Sequence, residues 1–142
     1  MSLARKTLLL AIAWTLAVVA DAQPAYRIVT HPSNPASSLA RSEAARIFLK
    51  KVVAWPDGRA VVPVDQERTS AVRQAFSREI HQKDPDAIAS YWQTAVFSGR
   101  EIPPPIGKSD GEVLAFVRAN PGAVGYVSLE ADLAGVKLLA VK

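Results

Sequence analysis

Arg68-Thr69-Ser70 and Arg73 follow closely on the apolar run Val61-Val62-Pro63-Val64 and its terminal Asp65. Hydroxyls and guanidinium groups at this spacing suit a small oxyanion: the hydroxyls donate hydrogen bonds, and Arg68 or Arg73 pairs with the charge. A helix opening at Thr69 would add free N–H groups and a favourable dipole, just past the carboxyl end of a strand. A second role is open to Thr69 and Ser70, that of a plain N-cap with Arg73 on a solvated face. Asp65 has two roles open as well. It can accept from a protonated oxyanion, or close its own loop by taking backbone N–H groups.

A second group, His31, Ser33 and Asn34, follows the strand-forming stretch Tyr26 to Thr30. If the two strands are parallel neighbours, this loop lies beside the Asp65–Ser70 loop at the carboxyl edge of the sheet, where α/β proteins bind ligands. His31 and Ser33 would then face the anion from the other side. The alternative is an ordinary Pro-Ser-Asn turn with an exposed histidine. Arg100 is a further cation within reach of such a site, or a surface residue beside a helix end. Trp55, Trp92, Tyr91 and Tyr126 sit on otherwise apolar elements and read as packing residues. The chain has no Gly-x-Ser-x-Gly elbow, no His-Glu-x-x-His and no Gly-x-x-x-x-Gly-Lys loop. Two histidines without cysteine or a paired acidic motif make no metal site. The residues point to binding, with no cofactor and no catalytic set.

The elements that must position these groups are read from pattern and punctuation. Tyr26–Thr30 is a strand, and the proline-broken segment 31–38 a loop. A helix capped by Ser42 runs to about Lys51. Trp55-Pro56-Asp57-Gly58-Arg59 is a tight turn. Ala60–Val64 is a buried strand in which Pro63 demands an edge or a bulge. Thr69–Gln82 is a helix. Asp84 caps the next, with Pro85 at its first position. Residues 100–107 are an extended proline-rich loop. Ser109 or Asp110 caps a helix ending at Asn120, and the strands 123–128 and 136–141 close the chain. The alternation implies a small, mainly parallel sheet of roughly three to five strands covered by helices, an α/β architecture.

The 142 residues begin with Arg5 and Lys6, an apolar run from Thr7 to Ala20, and Ala20-Asp21-Ala22. That is the layout of a secretory leader cleaved before Gln23. The run falls short of the roughly 20 apolar residues of a spanning helix. Residues 1–22 are therefore expected to be a signal peptide and residues 23–142 one domain, located in the periplasm and free of the membrane after cleavage. The absence of cysteine suits an oxidising compartment. Seventeen basic against 13 acidic residues give a net charge of +4. No run of like charges accompanies this mild excess, so nucleic acid is not an expected partner.

Several stretches together resemble the second lobe of the phosphate-type periplasmic substrate-binding proteins, the receptors of phosphate ABC importers. They are Val29–Asn34, the helix from Leu39 to Lys50 with Glu43 and Ile47-Phe48, Trp55 with Asp57-Gly58, Val61–Val64, and the helix start Thr69–Phe76. Tyr91-Trp92, Phe97-Ser98-Gly99 and Asn120-Pro121-Gly122-Ala123-Val124-Gly125-Tyr126-Val127 complete the set. The resemblance implies a single lobe of a type II periplasmic-binding-protein fold and a phosphate-like ligand. The family's Ser-Gly-Thr triplet stands here as Arg68-Thr69-Ser70, with the hydroxyls kept and the glycine absent. A lone lobe implies weak binding unless a second lobe or chain closes over the anion. A second outcome is a degenerate domain that contacts a protein partner in the cell envelope.

Overall fold

The computed structural model describes residues 25–142; the expected leader, residues 1–22, lies outside them. Strands and helices alternate in the order β1 (Arg27–Thr30), β2 (Ser38–Leu39), α1 (Arg41–Phe48), β3 (Val62–Pro63), β4 (Asp65–Gln66), α2 (Ala71–Phe76). A π-helical segment (Ser77–His81) extends α2, followed by α3 (Pro85–Phe97), β5 (Ile106–Gly107), α4 (Asp110–Ala119), β6 (Ala123–Val127) and β7 (Lys137–Val141).

Five strands form one sheet in the order β2-β7-β1-β6-β3, while β4 and β5 make a small parallel pair. The α/β single-lobe architecture follows the expectation, and so does the strand number. The pairing directions need one correction. β3 is parallel to β6 and β2 to β7, but β1 is antiparallel to both its neighbours. Four strands thus share one direction and the central strand opposes them. The expected strands one and two are neither neighbours nor parallel, because β6 lies between β1 and β3.

Period-2 alternation distributes the core over both faces. Ile28, Val124, Tyr126 and Leu139 point to the face covered by α1, α2 and the π-helical segment, where they meet Phe48, Trp55 and Phe76. Val29, Ala123 and Val127 point to the opposite face, against Val113, Leu114 and Val117 of α4. Every residue of β6 is buried, as a strand covered on both sides requires. Phe76 stacks on Tyr126 with ring centroids 3.8 Å apart, and Phe48 meets both edge-on. Gly125 has no side chain because a Cβ there would run into Val113 and Val64.

Pro63 lies on the edge strand, where its missing N–H breaks no ladder. The flanking Val62 and Val64 N–H groups make the inward bonds, to Gly122 and Val124 carbonyls. Gly58 turns the chain at φ +89°, and a bridge between Ala54 and Ala60 closes that turn.

Other boundaries shift. Helix α1 begins at Arg41 with Ala40 in the cap position and no side-chain cap, so Ser42 lies inside the helix. Its start is set by docking, since the Arg41 N–H donates to the Lys142 carbonyl beside β7. The expected strand 60–64 pairs only at Val62–Pro63, and the chain then turns so that Asp65–Gln66 pairs with Ile106–Gly107. Regular α-helix begins at Ala71, two residues later than expected, and widens into π geometry until Gln82 stops it in the left-handed region at φ 54°. Asp84 and Ser109 cap α3 and α4 as their sequences require.

Candidate functional site

β4 carries Asp65 away from the main sheet and against the proline-rich segment, where the Asp65 N–H donates to the Pro105 carbonyl. This contact sets Pro103, Pro104 and Ile106 across from Thr69. Helix α3 closes the third side. Its buried stripe of Ile88, Trp92 and Ala95 packs inward, and Ala89 and Trp92 wall a cleft of about 450 Å³. The cleft has a polar end formed by Asp65, Glu67, Arg68, Thr69 and Arg73, and an apolar end formed by Ala89, Trp92, Pro103, Pro104 and Ile106.

Asp65 and Arg73 form a buried ion pair at 2.8 Å, with the residues only 3% and 5% exposed. The same Arg73 Nη1 donates to the Gln66 carbonyl at 2.7 Å. The Asp65 carboxylate also accepts from the Gln66 N–H and from the Tyr126 hydroxyl. Burial pushes the Asp65 carboxyl above the usual carboxylate range, against the pull of Arg73, Tyr126 and the Gln66 N–H. Burial and the adjacent Asp65 charge push the Tyr126 phenol up as well. Arg73 Nε is buried and has no acceptor, and neither has Trp92 Nε1. An unpaired buried donor is costly, and both atoms lie beneath the cleft surface.

Gln66 ties this pair to the rest of the lobe. Its amide donates to the Tyr126 carbonyl and to Asp110, the first residue of α4, each at 2.9 Å. Asp110 also accepts from the N–H and hydroxyl of Ser128. Burial works against ionisation of Asp110, but the Ser128 and Gln66 donors outweigh it and hold the carboxyl low.

The structure therefore gathers four of the seven expected site residues: Asp65, Arg68, Thr69 and Arg73. Arg68 stays largely exposed and makes a surface pair with Asp86 at 3.5 Å. Asp65 faces Arg73 rather than open solvent, which fits its loop-closing role. Ser70 is the N-cap of α2, its hydroxyl accepting from the Arg73 N–H at 3.1 Å. Ser70 does not line the cleft.

His31 and Ser33 are not opposite Thr69. Because β1 is antiparallel to β6, Thr30 sits beside Val124 near the start of β6, whereas β4 lies by Tyr126 near its end. The two loops lie at opposite ends of the sheet, on the order of a five-residue strand or ~15 Å apart. His31 Nδ1 and Ser33 Oγ are 2.7 Å apart, and Arg59 clamps Ser33 through both its hydroxyl and its carbonyl. Asn34 is buried and bonds to Thr30 and the Ala36 N–H. This loop is the turn the alternative reading described. Arg100 donates to Ser98 at the end of α3 and does not line the cleft.

The sequence reading missed Glu67, Trp92 and the 103–106 segment as cleft walls. Trp92 is buried as expected, but nothing in its helical spacing tells that its outer face borders a hollow. The proline run signals an extended segment without saying what it lies against. Among the described residues, no group of three or more His, Cys, Asp or Glu is placed to hold a metal ion. No helix among them is long and apolar enough to cross a membrane.

No family model matches the chain, and no curated protein matches it. Solved structures do. A protein from Clostridium perfringens assigned as a phosphate ABC transporter substrate-binding protein, with bound phosphate, superposes with a TM-score of 0.65 at 22% identity. The match covers 82% of this chain and 44% of that one. An ABC-type phosphate transport receptor from Vibrio cholerae gives a TM-score of 0.65 at 20% identity, over 82% of this chain and 46% of the other. PstS from Borrelia burgdorferi gives 0.58 at 15% identity, over 83% and 47%. The described residues carry the fold of a lobe of these receptors, and the chain spans less than half the length of each. The first two neighbours are transport receptors, not enzymes.

Proposed function

We propose that this chain is an exported binding domain of the phosphate-receptor type, holding a small oxyanion at the polar end of the cleft. In this reading residues 1–22 are a cleaved leader, residues 23–142 are the working domain, and the domain acts in the periplasm. One observation carries the proposal. The exposed Arg68 guanidinium and Thr69 hydroxyl stand together at the cleft rim, with the buried Asp65–Arg73 pair in the wall beside them. Those groups give an anion a charge partner and a hydroxyl donor in one place.

The fold likeness adds support, since the structural neighbours include a receptor with phosphate bound. The alternative, a domain that contacts an envelope protein, has no comparable support. A single lobe leaves the anion open to water on one side. Binding by this chain alone therefore belongs in the millimolar range, about −4 kcal/mol, and a second lobe or chain would tighten it. Calorimetric titration of the purified chain with inorganic phosphate tests the reading. Arg68→Ala and Thr69→Val should each weaken the response several-fold while melting near the parent temperature. An absence of heat and of thermal shift with phosphate and with carboxylate anions alike, at 10-fold excess over ~1 mM, would end the proposal.

A further inference from the structure

We infer that the ligand of this cleft is an organic oxyanion, a monoanionic acid with an aromatic or branched aliphatic body, rather than a bare inorganic ion. The inference rests on the anion reading above and narrows it. The charges among the lining residues are balanced, Asp65 and Glu67 against Arg68 and Arg73, and both guanidinium groups already have partners, Arg73 in Asp65 and Arg68 in Asp86. A formally neutral rim is poorly matched to a dianion, because each added charge must be desolvated without a cation of its own. It suits a single carboxylate that accepts from the exposed Arg68 guanidinium and the Thr69 hydroxyl.

Trp92 and Arg73 both line the same hollow, and both are at least nine-tenths buried. The rest of the wall is apolar. Trp92, Pro103, Pro104 and Ile106 present rings and a branched chain that an inorganic ion cannot use, and Ile106 is left 50% exposed. A volume near 450 Å³ falls within the roughly 300–1,000 Å³ of sites that hold organic ligands on apolar walls with a few polar anchors. The hollow continues. A second depression of about 400 Å³ shares Ala89, Trp92 and Pro103 with the first and runs along α3 to Val96 and Phe97. Phe97 is 95% exposed at its far end. A ligand with its carboxylate at Thr69 and its body on Trp92 would cover this surface.

Matched probes separate the inference from its parent. The purified chain is titrated with phosphate, acetate and phenylacetate, following heat and the 15N–1H signal of the Trp92 indole. Phenylacetate should bind at least tenfold more tightly than acetate or phosphate and shift the Trp92 indole resonance. Ile106→Gln, at a half-exposed position, should remove that preference without changing the melting temperature. Equal binding of all three probes, or a preference for phosphate, overturns the organic ligand and leaves the oxyanion reading standing. No response to any probe overturns both.

Discussion

Replacing Asp65 by Asn removes one charge from the buried pair and little else. The amide oxygen still accepts from the Tyr126 hydroxyl and the Gln66 N–H, so the shape of the site is kept. The Arg73 guanidinium, 5% exposed, is left with the Gln66 carbonyl and no countercharge. Breaking a buried pair in this way costs about 3–5 kcal/mol. At roughly 3–6 °C per kcal/mol for a domain of this size, the melting temperature should fall by roughly 10–30 °C. The reverse single change, Arg73→Met, strands the carboxylate instead and should cost a similar amount. The double variant carries neither charge, and it should be more stable than either single variant. Urea unfolding of the four proteins at pH 7 closes the cycle, and the coupling between the positions should exceed ~2 kcal/mol. An Asp65→Asn loss below ~1 kcal/mol, the worth of an exposed pair, would refute the buried-pair account.

Ser70→Ala removes the N-cap of α2 and should cost about 1 kcal/mol. It should leave phosphate titration unchanged, and a loss of binding with full stability would return Ser70 to the site. His81 gives a pH dependence whose sign follows from its environment. Burial, with Arg73 and Lys83 adding, lowers its pKa from 6.5 to about 4, so the folded state favours the neutral ring. The stability this confers is full above pH 6.5 and drains away as pH falls toward 4. His81→Gln should flatten the fall in melting temperature between those values, and an unchanged slope would place the titration elsewhere.

Much of the fold could be read from residue types because local chemistry decides it. The caps at Asp84-Pro85 and Ser109, the Pro56-Asp57-Gly58 turn and the edge position forced by Pro63 all work within a few residues of themselves. The direction of β1 does not. Its alternation is satisfied equally by parallel and antiparallel neighbours, and the choice is made by β6 and β7, nearly a chain length away. That one undecided direction moved His31 and Ser33 to the wrong rim. The Ala40 cap position was hidden for the same reason, since the start of α1 depends on docking against Lys142. Within the site, Arg68, Thr69, Arg73 and Asp65 were legible as one cluster because they are close in sequence. The contributions of Trp92 and of the 103–106 segment depend on the β4–β5 pairing, two residues long, which leaves no periodic signal.

The placement of β1 between the last two strands bears on how the chain acquires its shape. Ile28 finds Tyr126 on one side and Leu139 on the other, so the middle of the sheet is assembled from opposite extremities of the polypeptide. Such non-local pairing gives high contact order and slow folding. During synthesis β1 has no sheet partner until β6 and β7 have been made. A nascent chain of this design keeps both edges of β1 uncovered until β6 and β7 have emerged.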